Sequence, residues 1–132
     1  MLWDAEISNL IVRRVDFLRN KHRDISITHF VLGGPYGEYG IILYTDYNFN
    51  PMGFEFIESR KSWKRPDAIN EYSALVDDGY CVIVYVPDDV KNEVARTIIA
   101  EKGKENIRLR SIDTLLPIVK NENGSGDQRE QS

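Results

Sequence analysis

Residues 37–65 read GEYGIILYTDYNFNPMGFEFIESRKSWKR. Two runs rich in β-branched and aromatic residues, Gly40–Thr45 and Gly53–Ser59, flank a segment of Asn, Asp and Pro. That pattern predicts a β-hairpin. The second run carries Glu55 and Glu58, then empties into a basic, aromatic cluster of Arg60, Lys61, Trp63, Lys64 and Arg65. A carboxylate in a strand is either solvated or has a task. Beside a cation on one strand face, it can hold a divalent ion next to a phosphate.

Working outward, residues 2–20 place Trp3, Ile7, Leu10, Ile11 and Leu18 at helical spacing, with Glu6 on the flank of that stripe. Ser26–Leu32 reads as a strand, and Gly33-Gly34-Pro35 ends it. Beyond the basic cluster, Pro66–Asp78 predicts a helix closed by Gly79. Tyr80–Val86 is apolar almost without alternation, as in a strand covered on both faces. Val90–Lys102 reads as another helix closed by Gly103, and Ile107–Ile112 as a last, edge-like strand that alternates apolar and basic. The order αβββαβαβ makes a single α/β domain over residues 1–118, with a mixed sheet flanked by helices. Residues 119–132 read as a disordered polar tail.

Composition narrows the classes. The 132 residues suffice for one core, and no apolar run reaches the roughly 18–20 residues that span a bilayer. The N-terminal residues lack a cleavable apolar core, and the single Cys81 sits within an apolar run, where a small buried core residue is expected. A cytoplasmic location is the default. One cysteine and two histidines exclude a standard structural zinc site. The net charge of −4 argues against nucleic-acid binding by the whole surface but leaves room for a local basic patch. No phosphate loop, dinucleotide fingerprint or Ser/His/Asp set is present.

The element order and the residues around Glu58 resemble the core of the PD-(D/E)xK, or restriction-endonuclease-like, superfamily over about residues 2–116. The family's acid near the start of the second strand corresponds to Glu38 in PYGEYG, and its acid–x–lysine to Glu58-Ser59-Arg60, with arginine where lysine is usual. The resemblance implies a metal-dependent nuclease acting on DNA phosphodiesters. Mg²⁺ would be held by Glu38 and Glu58, with Glu6 as a third carboxylate, and Arg60 or Lys61 would support the phosphate. Arg60 stays protonated at neutral pH and cannot act as a base, and Lys61 reaches the same face only through a bulge. Lys61, Trp63, Lys64 and Arg65 would contact nucleic acid.

A register test accompanies the pairing. With Glu38 opposite Glu58, Gly40 falls against Phe56 and Ile42 against Phe54, leaving a polar pair at the open end above an apolar core. Two rival readings remain open. One is a binding module whose catalytic site has decayed. The other is a protein-interaction or assembly domain, including a homodimer, that pairs through the final strand or the hairpin.

Overall fold

The computed structural model describes residues 4–103 and 106–115, with side chains from residue 7 onward. Trp3, the side chain of Glu6 and the tail 119–132 lie outside the described residues. The chain forms helix α1 (Asp4–Lys21), strands β1 (Ser26–Leu32), β2 (Tyr39–Thr45) and β3 (Pro51–Ile57), helix α2 (Ala68–Asp77), strand β4 (Cys81–Val86), helix α3 (Lys91–Lys102) and strand β5 (Arg108–Ser111). The αβββαβαβ order stands, as one α/β domain around a five-stranded mixed sheet.

Strand order in the sheet is β1-β2-β3-β4-β5. The first two pairings are antiparallel, as short connections allow, and the last two are parallel because α2 and α3 supply the crossovers. Ile7, Leu10, Ile11, Val15 and Leu18 of α1 bury against Ile27, Ile42, Ile57 and Tyr85 on one sheet face. Each such side chain contributes about 1.5–3 kcal/mol by leaving water. On the other face Phe56, Val82, Val84 and Val86 pack with Ile69 and Tyr72 of α2 and Val94 and Ile98 of α3. No helix among the described residues is long and apolar enough to cross a membrane.

The hairpin exists, but its register differs by one residue from the expected one. Gly40 lies opposite Ile57, Ile41 opposite Phe56 and Ile42 opposite Glu55. Because side chains alternate, a one-residue slip moves every residue of one strand to the other face. Phe54 and Phe56 therefore face α2 and α3, while Gly40, Ile42, Glu55 and Ile57 face α1. Two contacts explain the choice. A Cβ on Gly40 would lie 1.9 Å from Ile11 Cδ1, so α1 presses on a strand position that has no room for a side chain. Glu55, turned to the same face, meets Arg14 of α1.

Two further expectations are corrected. Cys81 is exposed, not a core residue, because it occupies the first position of β4 and burial begins at Val82. The hairpin is no pairing edge, since β2 and β3 are interior; the edges are β1 and β5.

Candidate functional site

Glu58 is the first residue past β3, held in line by its backbone N–H donating to the Tyr85 carbonyl at 2.9 Å. Its side chain has no exposed surface. Ser62 Oγ donates to its Oε1 at 2.6 Å, Arg65 Nη1 donates to the same oxygen at 2.7 Å, and the Tyr72 hydroxyl donates to Oε2. The segment 59–65 curls into this position because two serines satisfy each other's backbone: Ser59 N–H donates to Ser62 Oγ and Ser62 N–H to Ser59 Oγ. A short 3₁₀ turn at Ser62–Lys64 follows. Arg65 also donates to Glu71 at 2.9 Å, and its guanidinium lies 3.5 Å from the Tyr39 ring centroid.

The electrostatics are those of a closed lattice. Burial opposes the charge on Arg65, but Glu58 and Glu71 more than offset it and hold the guanidinium more firmly protonated than usual. Burial, followed by the adjacent Glu58, pushes the Tyr72 phenol well above its ordinary range. Both carboxylate oxygens of Glu58 are engaged, and the arginine occupies the place a cation would need. These residues do not fit a divalent ion.

Glu38 is half-buried and accepts from Ser8 Oγ of α1 at 3.0 Å. That contact, and its alternation with Tyr39, put it on the α1 side, whereas Glu58 is held from the α2 side. The expected Glu38–Glu58 pair does not form. Among the described residues no group of three His, Cys, Asp or Glu side chains converges. Arg60 donates to Asp89 Oδ2 at 2.7 Å, and Lys64 lies 3.7 Å from Glu93, so neither joins Glu58. Lys61 is exposed, and no ion pair engages it among the described residues. Trp63 is 4 % exposed and packs in the core, which leaves no ring face for stacking a base.

Two features were not foreseen. The first is a second buried glutamate. Glu55 accepts two hydrogen bonds from Arg14, at 3.1 and 3.0 Å, and one from the Tyr44 hydroxyl. Burial and then Glu55 push the Tyr44 phenol up. The second is a row of cations and aromatic rings on the α1 side of the sheet. The Lys21 ammonium lies 5.6 Å from the Phe17 centroid, and the Arg14 guanidinium lies 5.7 Å from Phe17 and 5.8 Å from Tyr85. Across the parallel ladder, exposed Arg110 pairs with Tyr85 and exposed Arg108 with Ile83. At the foot of this face a recess of about 260 Å³ is lined by Tyr44, Met52, Gly53, Glu55, Cys81 and Ile83 among others. The signals were visible separately, as the basic alternation of IRLRSI and the helical spacing of Arg14, Phe17 and Lys21. Only the sheet joins them. No family model, no curated protein and no solved structure matches the chain.

Proposed function

We propose that this chain is a nucleic-acid-binding module on a restriction-endonuclease-like scaffold. The observation that carries the reading is the row Lys21–Phe17–Arg14–Tyr85–Arg110, extended by Arg108. Phosphate attraction draws on exposed Lys21, Arg108 and Arg110, since Arg14 is neutralised by Glu55. Partly covered Phe17 offers an apolar ring between two cations. The antiparallel meander followed by a parallel fourth strand, with a helix on each face, supports the scaffold half of the proposal. Binding is favoured over cleavage because Glu58 is closed by Arg65 and Tyr72 while Glu38 belongs to the opposite face. The patch is local, which is compatible with the overall charge of −4.

The test is fluorescence anisotropy with labelled single- and double-stranded DNA over a salt series, without metal and with Mg²⁺ or Mn²⁺. Binding should weaken linearly on a log–log salt plot, and Arg108→Glu/Arg110→Glu should cost roughly tenfold or more. Lys61→Glu/Lys64→Glu should change affinity by no more than about twofold. Absence of binding at low salt, or equal losses in the two variants, would sink the reading. Metal-dependent strand cleavage, abolished by Glu58→Gln in a variant that remains folded, would return the nuclease reading in its place.

A further inference from the structure

We infer that β1 is the seam of a homodimer, in which two copies pair their β1 strands antiparallel about a two-fold axis centred at His29. The two sheet edges differ sharply. β5 is four residues long and carries Arg108 and Arg110, the short length and charge by which edges are normally kept unpaired. β1 is seven residues long, contains no proline, lysine or bulge, and has no strand partner on its outer side among the described residues. It also presents three consecutive large apolar residues: Phe30, 50 % exposed, Val31, 40 %, and Leu32, 39 %.

A second copy fits this edge for three reasons. In the register centred at His29, which pairs all seven residues, Ile27 meets Val31 of the other copy on the α1 face. Thr28 meets Phe30 on the other face. These are the β-branched and aromatic cross-strand pairs that stabilise sheets, and the two-fold repeats each of them. Next, α1 lies over β1 and β2 alike, so continuing the sheet places the two α1 helices about two strand spacings apart, roughly 10 Å, a helix-packing distance. Arg14 reaches toward β3 and Arg19 toward the Ile27 carbonyl of β1. The flank turned to the seam is therefore that of Arg19, with Asp16 and Val12 one and two turns back. Val12 is 48 % exposed, and Asp16 and Arg19 bring opposite charges to an antiparallel pair. Lastly, stable interfaces bury about 1,200 Å² or more in total, and the α1 flank with exposed Val12 adds apolar surface to that of the paired strands.

The axis stands perpendicular to the sheet, because paired residues share a face. Both cation–aromatic rows then lie on the same side of a ten-stranded sheet, where one extended polyanion can engage both. The dimer itself does not depend on that reading, and none of its tests measures nucleic-acid binding.

Sedimentation of the full chain over a concentration series should show a monomer–dimer equilibrium. His29→Lys sets two like charges opposite each other at the axis and should leave a folded monomer whose melting temperature does not depend on protein concentration. Val12→Glu should weaken the dimer by at least about tenfold, as burying an apolar seam residue would require. In a Cys81→Ser background, His29→Cys should form an intermolecular disulfide with oxidised glutathione, since residues facing each other across antiparallel strands have Cα atoms about 4.5–5.5 Å apart. Thr28→Cys should not. A monomer at every concentration, a dimer that survives His29→Lys, or equal crosslinking at positions 28 and 29 overturns the inference.

Discussion

Arg65 places Nη1 2.7 Å from Glu58 Oε1, on a glutamate that retains no exposed surface. On the opposite face of the same strand, Arg14 holds Glu55, which is 2 % exposed, through two hydrogen bonds. β3 and the residue that follows it thus carry buried ion pairs on opposite faces, one binding α1 to the sheet and the other binding the 59–65 loop and α2. Such pairs gain little over apolar replacements, yet breaking one leaves a charge stranded in the interior.

Glu58→Ala should therefore lower the unfolding free energy by about 3–5 kcal/mol, the range for removing one partner of a buried pair. Urea denaturation measures it. Glu58→Gln should cost less, because the amide oxygen can still accept from Ser62 and Arg65. A loss within about 0.5 kcal/mol for Glu58→Ala, the surface-substitution range, would show that the lattice is not structural.

Alkaline pH should unfold the protein. Burial raises the phenols of Tyr72, Tyr44 and Tyr85, with Glu58 assisting at the first and Glu55 at the other two. A tyrosine in the unfolded chain loses its proton near pH 10.0, while these three retain theirs in the fold. Their contribution to stability is complete below that pH and is lost as pH rises above it, by about 1.4 kcal/mol per pH unit for each such tyrosine. Tyrosinate absorbance should rise together with loss of circular dichroism. Tyr72→Phe should be less stable at neutral pH and should lose stability less steeply above pH 10.

Gly40→Ala tests the packing that sets the register. The added methyl would meet Ile11 Cδ1 at 1.9 Å and Cγ1 at 2.7 Å, and Ile11 is itself fully buried. Overpacking of this kind costs about 1–3 kcal/mol. The variant paired with Ile11→Val should recover part of that loss in thermal melts.

Phe49 holds φ of 63° at the tip of the β2–β3 hairpin, where it is 78 % exposed. Asp46 builds the turn, accepting from the Asn48 and Asn50 backbone N–H groups at 2.9 and 3.0 Å. An L-residue in this left-handed region is strained by about 1–2 kcal/mol, a cost that glycine avoids. Phe49→Gly should raise the melting temperature, whereas Phe49→Ala should not. Equal melting for both would show that the turn stores no strain.

The elements themselves were legible in the chain because each depends on residues a few positions apart. Glycines close α2 and α3, alternation marks β5, and the Asn- and Asp-rich turn joins β2 to β3. Burial within them followed as well, for Ile7, Leu10, Ile11 and Leu18 in α1 and for Ile69 and Tyr72 in α2. Where an expectation about the hairpin and its glutamates failed, the deciding partner was remote. The hairpin register rests on Ile11 against Gly40 and Arg14 against Glu55, and the state of Glu58 rests on Tyr72 as much as on Arg65.

The sequence by itself determined the order of helices and strands and the mixed sheet they imply, since periodicity and turn chemistry act locally. Tertiary structure alone decided which face each glutamate occupies, that Trp63 is an interior residue, and that β1 lies at an edge of the sheet. The physical reason is the two-residue period of a strand. A single step of register exchanges the two faces of a sheet, and no local pattern around residues 37–65 distinguishes one step from the next. The packing of α1 and α2 does.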